Sequence, residues 1–363
     1  MKKLNVYLQY PIFKSDSQYY KSILDNPPSN VNYIPSIQSA GMITSKKEFK
    51  KIKILKKIIR FVFNKTHLPF PSAFYVKNSS RYDLIHCAHC LCLNRSPWVA
   101  DIEHPFQMWG GAELTRLRKY FVKKLLMSKH CKKIMPWTEE AKRDILKDFP
   151  EVESKIELLS FAMPMSSYIS RKNKNEINLL FIGRYFFQKG GLDAVEALDI
   201  LTKKYKNVKA TFISETPDYV LEKYSKNEKI FFSNLIPFEK IMKDVYPKTD
   251  IYICPGYTDS LGFPFVEAQS YGIPVITVDG YSRKEVVLDG ETGFVIPSNK
   301  NVDYNKINRG IVKNIVDKAS LLIEDKKLRN NMSVAGKNAV GTGKFSLEKR
   351  NNLLKRIYGE AIQ

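Results

Sequence analysis

Long apolar runs, cysteines and acidic residues are scarce in this chain of 363 residues. No stretch approaches the ~18 consecutive apolar residues of a membrane-spanning helix, which excludes such a segment. The first apolar run is short and is interrupted by Asn5 and Gln9, so it predicts a first strand and not a signal peptide. Five cysteines in a chain without a secretion signal predict reduced thiols and a cytoplasmic protein.

Sequence patterns of nucleic-acid-binding modules are also missing, namely zinc-finger spacing, an aromatic string of the RNA-recognition type and an obvious helix-turn-helix. The formal net charge of +22 nevertheless favours an anionic partner: nucleic acid, lipid headgroups or a polyanionic substrate. Residues 1–170 contain 28 Lys and Arg against 14 Asp and Glu, so the excess lies mainly in the N-terminal half. Lysine dominates, which suits diffuse phosphate attraction better than base recognition, and no nucleic-acid partner is predicted.

The densest positive charge lies in the segment Lys46–Phe63. Lysines fill one face of the predicted helix, and apolar residues recur on the other at helical spacing. These apolar residues are Phe49, Ile52, Leu55, Ile59 and Val62. Two interpretations stay open: an element that lies on an anionic membrane surface, and a surface helix that packs its apolar stripe on the core.

A second basic helix is predicted over residues 113–133. Its apolar stripe consists of Leu114, Leu117, Phe121 and Leu125, and we expect this stripe to pack against the core.

Three thiols and two imidazoles are concentrated between His86 and Cys92. Cys87 and Cys90 have the spacing of half a zinc site, but no second pair elsewhere completes the four ligands of a structural zinc. Alternate residues of a strand also face opposite sides. We therefore predict no metal site.

Two stretches of the C-terminal half carry the pattern of a nucleotide-binding site. In the first, an apolar strand ends at Gly183, and Arg184, Lys189 and a glycine pair precede a predicted helix. Cations at this point suit a diphosphate whose negative charge grows as a bond to it breaks. In the second, a strand is followed by a loop with Asp259 and Gly262 and a helix with Glu267. Helix N-termini offer N–H groups to anions.

Together these stretches resemble the donor-binding motifs of family 4 glycosyltransferases. The matching sequences are GRYFFQKGG from Gly183, DSLGFPFVEA from Asp259, and DGETG from Asp289. The resemblance implies a GT-B fold, with two Rossmann-like, doubly wound parallel-sheet domains that face a cleft. It also implies a retaining transferase that moves a sugar from a nucleotide-diphosphate-sugar, a UDP- or GDP-sugar, without a metal cofactor. The acceptor would be a glycan or a lipid-linked molecule of cell-surface polysaccharide or glycoconjugate synthesis.

The resemblance also assigns roles to particular residues. Arg184 and Lys189 would hold the diphosphate beside Gly183, with backbone N–H groups near Gly262 and Phe263. Glu267 would contact the ribose of the donor. Asp259 would contact the transferred sugar, and His104 would contact a sugar hydroxyl. Asp259 stands where the family usually has Glu. The glycine-rich loop usual after the first strand is absent, which leaves the acceptor and the base open.

Length and the alternation of strands and helices predict two α/β domains. Their expected bounds are 1–168 for an acceptor-binding domain and 169–345 for a donor-binding domain, with a helix over 346–363 packing back across both. The predicted strands are Lys3–Gln9, Leu84–His86, Trp98–Ile102, Lys133–Trp137, Ile156–Ser160, Asn178–Ile182, Val208–Ile213, Ile230–Phe232, Ile251–Cys254 and Val275–Val278.

Two other classes of protein remain open. A GT-B epimerase or phosphorylase would share the fold and act on a nucleotide-sugar without an acceptor. A basic membrane- or nucleic-acid-binding protein with a degenerate donor site would fail to bind any nucleotide. For a transferase, the expected location is the cytoplasm. If the basic helix lies on a membrane, the expected position is peripheral, at the inner membrane face.

Overall fold

The structure is a computed structural model that describes residues 3–10, 18–36, 54–55, 57–58, 61, 65, 70–167, 175–258, 261–298 and 302–363. The chain forms two compact units. The first contains residues 1–162 and 347–363, and the second contains residues 163–346. The C-terminal helix thus belongs to the first unit.

The first unit is built on a parallel sheet with the strand order β2-β1-β4-β6-β7. Its strands are β1 (Leu4–Gln9), β2 (Val31–Pro35), β4 (Leu84–Ala88), β6 (Trp98–Ile102) and β7 (Cys131–Pro136), and β3 (Ala73–Phe74) pairs separately with β5 (Leu91–Cys92). Its helices are α1 (Gln18–Asp25), α2 (Arg116–Met127), α3 (Glu139–Asp148) and the C-terminal helix Leu347–Ala361. The prediction for Trp98–Ile102 is confirmed residue for residue.

Successive side chains of a strand point to opposite faces of the sheet, and both faces of this sheet are covered. Trp98 and Ala100 of β6 point to one apolar cluster, which Val122 of α2 completes. Val99, between them, points to a second cluster that includes Leu354 of the C-terminal helix. The last helix therefore closes the second face of the first sheet.

The second unit has a parallel sheet with the order β10-β9-β8-β11-β12-β13. Its strands are β8 (Ile177–Gly183), β9 (Val208–Ser214), β10 (Ile230–Ser233), β11 (Ile251–Ile253), β12 (Val275–Val278) and β13 (Gly293–Ile296). Its helices are α4 (Gly191–Lys204), α5 (Asp218–Tyr224), α6 (Phe263–Ser270), α7 (Arg283–Val286), α8 (Arg309–Glu324) and α9 (Lys326–Gly341), with a shorter helical segment over 238–248. The strand Val275–Val278 is confirmed residue for residue.

Several sequence predictions in the first unit were wrong. Residues Ile156–Ser160 form no strand; Ile156 makes a single bridge to Ile134. α1 and β2 were not predicted. Among the described helices, none is long and apolar enough to cross a membrane.

The predicted helix over 113–133 is shorter than expected, and a different face of it is buried. It spans Arg116–Met127, and its buried residues are Arg118, Val122 and Leu126. Leu117 and Phe121, expected in the core, are 52% and 37% exposed. Leu114 and Leu125 pack against the core cluster as predicted. The rest of the stripe was misjudged because Arg118, a charged residue, takes a core position by donating to the carbonyl of Glu113.

The basic segment Lys46–Phe63 lies mostly outside the described residues. Its five described residues are all helical and exposed: Ile54, Leu55, Lys57, Ile58 and Phe61.

Candidate functional site

The strand order of the second unit creates a crevice between β8 and β11. The chain winds from β8 outward to β9 and β10 on one side, and from β11 outward to β12 and β13 on the other. In open parallel sheets, ligands bind outside the carboxyl ends of the two strands where the winding reverses. The two sequence motifs are the loops that follow β8 and β11, so the fold brings them to this point.

Direct contacts join the two loops. The backbone N–H of Gly256 donates to the carbonyl of Lys189 at 3.0 Å. Gly190 has a φ of +75°, and a Cβ there would lie 2.5 Å from the Cβ of Pro255. Only glycine accepts both the left-handed backbone and this close approach. The glycine pair therefore fixes the β8 loop against the β11 loop.

The cations lie in the tight turn between β8 and α4. Within the turn, the N–H of Lys189 donates to the carbonyl of Tyr185 at 2.8 Å, and that of Gly191 to Phe186 at 2.7 Å. Arg184 and Lys189 are both half-buried. A Cβ on Gly183 would lie 2.8 Å from the Cβ of Lys189, so the lysine stem packs directly over this glycine. Both cations are thus held beside the N-terminus of α4.

The β11 loop leads into α6 through Gly262. Gly262 has a φ of +79° and precedes the helix without a side-chain cap. A Cβ on it would lie 2.5 Å from the ring of Phe265, so a larger residue would displace that ring. Phe263 begins the helix. Asp259, predicted to contact the sugar, lies outside the described residues.

Glu267 is the fifth residue of α6 and is buried, with 6% of its surface exposed. The hydroxyl of Tyr246 donates to its Oε2 at 3.0 Å. Burial raises the pKa of Glu267 to about 7, although the hydrogen bond from Tyr246 lowers it. A carboxyl poised near neutrality inside a crevice is a common property of functional sites.

Tyr246 was missed by the sequence interpretation. It is fully buried, and burial beside Glu267 raises its own pKa well above the usual value. It is one of 20 tyrosines, and no motif surrounds it, so no sequence pattern distinguishes it from the others.

Asp193 is a second residue that sequence reasoning missed. It is buried near the start of α4 and accepts hydrogen bonds from the Asn308 N–H at 2.6 Å and from the Tyr257 hydroxyl. Burial raises its pKa despite these bonds. Since Tyr257 belongs to the β11 loop, this carboxyl anchors that loop to α4.

Arg283 supports the same loop from the other side. It is 1% exposed, donates to the carbonyl of Gly256 and lies 5.3 Å over the ring of Phe265. Two buried polar side chains, Asp193 and Arg283, thus hold the β11 loop in place.

His104 lies in the first unit, at the carboxyl end of β6. Its Nδ1 accepts from the N–H of Phe106 at 3.5 Å, and it caps the short helix Pro105–Trp109. Burial lowers its pKa. The structure therefore assigns one ring nitrogen of His104 to a local capping role.

The His86–Cys92 cluster consists of buried structural groups. His86 bridges Asp101, at 2.7 Å, and the hydroxyl of Tyr358, at 2.6 Å. Burial raises the pKa of Cys87 and Cys131, which opposes thiolate formation. Within the described part of the chain, no group of three or more His, Cys, Asp or Glu residues could hold a metal ion.

Comparison with known proteins gives a consistent result. Residues 166–339 match the family described as Glycosyl transferases group 1. The capsular polysaccharide biosynthesis glycosyltransferase CapM of Staphylococcus aureus is 25% identical over 183 residues, covering 46% of this chain and 41% of CapM. The chain spans about a third to a half of the length of the first curated relatives it matches.

Two solved structures extend the similarity to the whole chain. A glycosyltransferase from Rickettsia africae has a TM-score of 0.62 at 16% identity and covers 100% of this chain and 99% of its own. Anabaena HepE in complex with UDP-glucose has a TM-score of 0.62 at 11% identity, with coverages of 98% and 99%. The predicted GT-B fold class is thereby confirmed.

Proposed function

We propose that this chain is a family 4 retaining glycosyltransferase that transfers a sugar from a nucleotide-diphosphate donor. The observation that carries the proposal is the contact between the cation loop after β8 and the loop after β11, the loop that leads toward the Glu267 helix. The two loops meet at the winding reversal of one parallel sheet. CapM and HepE, which are similar to this chain, support a sugar-transfer function and a UDP-sugar donor.

In this proposal the diphosphate of the donor binds beside the β8 turn. Arg184 contacts phosphate oxygens bidentately and Lys189 adds a second positive charge. As the bond between the sugar and the diphosphate breaks, negative charge grows on the leaving oxygen, and fixed cations stabilise it without reorganisation. Gly183 and Gly190 allow the phosphates and the neighbouring loop to approach the backbone closely.

Glu267 is proposed to hold the ribose hydroxyls as an ionised acceptor. Its neighbour Tyr246 keeps the carboxylate oriented. Asp259 and His104 are proposed to contact the transferred sugar on the strength of the family resemblance.

The acceptor is proposed to be a glycan or lipid-linked molecule of capsular or lipopolysaccharide-type synthesis. CapM supports this class. The excess positive charge of the N-terminal half suits an acceptor or surface that carries negative charge, and it favours a peripheral position at the inner membrane face. The segment Lys46–Phe63 remains part of this proposal.

Thermal unfolding in the presence of UDP, GDP, ADP and their sugar conjugates tests the donor site. A ligand at about 100 times its Kd is expected to raise Tm by about 5–10 °C, because it binds only the folded state. One nucleotide should stabilise more than the others. If no nucleotide raises Tm, the transferase proposal is wrong. Release of free sugar or of an epimer without acceptor would favour the epimerase or phosphorylase class.

The pKa of Glu267 predicts a pH-dependent affinity. If the ionised carboxylate binds the ribose, affinity for UDP-glucose should rise roughly tenfold between about pH 6 and pH 8 as Glu267 loses its proton. UDP-glucose is the suitable probe because its diester diphosphate does not titrate in this range. Calorimetry across this range measures the effect.

Two variants control the experiment. Glu267→Gln should bind more weakly and abolish the pH dependence, whereas Tyr246→Phe should move its midpoint upward, since it removes a hydrogen bond that lowers the pKa of Glu267. A pH dependence unchanged in Glu267→Gln would contradict the assignment.

The same raised pKa affects the stability of the free protein. Because the folded protein favours the protonated carboxyl, Glu267 contributes most to the free energy of unfolding at a pH below 4.5, its ordinary pKa. This contribution is lost as the pH rises through about 7, its pKa in the folded protein.

A further inference from the structure

A cavity of about 400 Å³ lies within the second unit, apart from the crevice between β8 and β11. Its walls come from the last turn of α6, from α7 and the segment after it, and from the C-terminal part of α9. Gln269, Val286 and Phe345 are buried at its floor, and Glu291 and Lys344 are exposed at its rim. The volume falls within the range of small-ligand sites. This space is called the α6–α9 cavity.

The α6–α9 cavity and the proposed donor site lie on different sides of α6. Glu267 and Gln269 are two positions apart, which places their side chains about 200° apart around the helix. Gln269 packs toward α9, where a Cβ on Gly336 would lie 3.4 Å from the Cβ of Gln269. Among the described residues, none that is proposed to hold the donor lines the cavity. The two sites are therefore separate.

One motif of the sequence contributes to the cavity and has no role in the proposed donor site. Glu291 and Thr292 line the cavity, and both belong to the sequence DGETG from Asp289. The family resemblance assigns no contact to these two side chains. Their place in the wall gives this turn a position from which it can contact a ligand.

The amide of Gln269 has an unused acceptor. The side chain is fully buried, and its Nε2 donates to the carbonyl of Val286 at 2.9 Å. Turning the amide over would place two oxygens against each other, so this contact fixes Oε1 as the free end. Oε1 has no hydrogen-bond partner among the residues that the structure describes. A buried acceptor without a partner costs free energy, which a ligand that donates a hydrogen bond would recover.

The charges at the rim leave a second acceptor available. Lys344 contacts Glu285 at 3.2 Å. Glu291 is exposed and forms no ion pair within the described part of the chain. An ionised carboxylate and an amide oxygen accept hydrogen bonds and cannot donate them. A ligand that fits this cavity must therefore donate hydrogen bonds both at the floor and at the rim.

Apolar side chains form much of the remaining wall. Leu288 is 43% exposed, and Ala335 and Ala339 line the cavity from α9 at a spacing of four residues, which places them on one side of that helix. A ligand for this wall needs a C–H surface beside its donor groups. A sugar ring has both, since its hydroxyls project from the edge of a ring whose faces carry C–H groups.

We infer that the α6–α9 cavity binds a neutral saccharide unit. Its hydroxyls would donate to Oε1 of Gln269 and to the carboxylate of Glu291, and its C–H surface would pack on Leu288 and Ala339. The inference rests on the proposed function only for the source of the sugar, which we assign to the glycan that the transferase extends. A free sugar would present the same chemistry.

Charged ligands fit this cavity less well. An organic cation would meet Lys344 at the rim of a protein with a net charge of +22. An anion would lie beside Glu291, and Oε1 of Gln269 has no proton to donate to it. A neutral ligand avoids both conflicts.

Methyl-selective NMR of the full chain tests the inference. The probes are the free sugars D-glucose, D-galactose, D-mannose and N-acetyl-D-glucosamine, with maltose and cellobiose to represent a glycan chain. At up to about 20 mM, which detects a millimolar Kd, at least one probe should shift methyl resonances of the cavity in a saturable way. These methyls belong to Val286, Leu288, Ala335 and Ala339. The shifts should persist in excess UDP-glucose, because the donor site is separate.

Comparison of the probes identifies the source of the sugar. A disaccharide that binds about tenfold or more tightly than its monosaccharide would support a glycan chain, because a second ring adds contacts. Equal affinities would overturn the assignment to a glycan.

Two variants, each with a matched control, test the contacts. Ala339→Leu fills the cavity and should weaken sugar binding at least about tenfold, whereas Val334→Leu enlarges a side chain of the same helix that is 59% exposed and should bind as the wild type does. Glu291→Ala removes the acceptor at the rim and should weaken binding roughly tenfold. Its control, Glu222→Ala, removes an exposed carboxylate of α5 and should change nothing.

Gln269→Met tests the acceptor at the floor. It keeps a similar volume, removes Oε1 and should weaken sugar binding roughly tenfold. Because it also removes the hydrogen bond to Val286, its Tm is measured beside its affinity. If this variant does not fold, Ala339→Leu and Glu291→Ala still decide the question.

Several results would overturn the inference. They are the absence of cavity shifts with every probe, shifts that Ala339→Leu leaves unchanged, and shifts that excess UDP-glucose abolishes. Tighter binding of putrescine or of inorganic phosphate than of any sugar to the same methyls would assign the cavity to a charged ligand instead.

Failure of the proposed function gives a different pattern. Cavity shifts with a sugar, in a protein that binds no nucleotide, would contradict the transferase and keep the saccharide site. Nucleotide binding without any cavity shift would contradict the saccharide site alone.

Discussion

Replacement of Arg184 by alanine is expected to lower kcat for sugar transfer by roughly 10²–10³-fold. Arg184 lies in the turn between β8 and α4, where the leaving diphosphate is proposed to bind. Its contribution grows as the bond to the sugar breaks, so kcat should fall more than the affinity for the donor. Steady-state kinetics with the nucleotide-sugar identified by thermal unfolding measure the loss.

Two further variants sharpen this prediction. Arg184→Lys keeps a charge but loses bidentate geometry, and it should recover only part of the activity. Lys226→Ala removes an exposed cation elsewhere in the second unit and should leave kcat unchanged. Equal losses in Arg184→Ala and Lys226→Ala would mean that net charge, and not a phosphate contact, explains the effect.

Substitution of Gly190 by alanine is expected to destabilise the second unit by about 2–4 kcal/mol. The residue has a φ of +75°, and the new Cβ would meet Pro255 at 2.5 Å. The clash would separate the β8 loop from the β11 loop and displace Lys189, which precedes it. Tm should fall by roughly 5–12 °C, and nucleotide affinity should fall with it.

Gly310→Ala is the matched control for this substitution. Gly310 lies in the same unit, within α8, has no positive φ, and has open space around its Cβ position. Alanine there should be neutral or stabilising by up to about 1 kcal/mol. If Gly190→Ala is as stable as Gly310→Ala, the close approach of the two loops is not a constraint.

Local residue patterns were sufficient to predict most strands of the second unit. Trp98–Ile102, in the first unit, and Val275–Val278 were predicted to the residue, because short apolar runs between polar or glycine residues distinguish buried parallel strands. The order of Gly183, Arg184, Lys189 and Glu267 along the chain resembles a donor-binding motif, and the fold brings the loops after β8 and β11 to the same edge of the sheet. The donor site itself stays a prediction.

Predictions that depended on which face of a helix is buried were less successful. For α2 and the residues before it, the predicted core stripe was only half right. Leu114 and Leu125 pack against the core cluster. Leu117 and Phe121 are exposed, and the structure buries Arg118 instead. A period of 3.6 residues does not by itself say which of two apolar stripes faces the sheet. The carbonyl of Glu113, which accepts from the Arg118 guanidinium, allows this charged residue to be buried.

The two α/β units, the positions of the glycines and the cations of the β8 turn could all be predicted from the chain alone, because they follow from local geometry and charge. The hydrogen bond from Tyr246 to Glu267 and the contacts of Asp193 with Tyr257 and Asn308 became visible only in the folded protein. These partners are 21, 64 and 115 positions apart. Spacing along the chain carries no information about such pairs, since their proximity depends on how the helices and loops pack around the strands. The pair of Asp193 and Tyr257, for example, forms because the strand order places β8 beside β11.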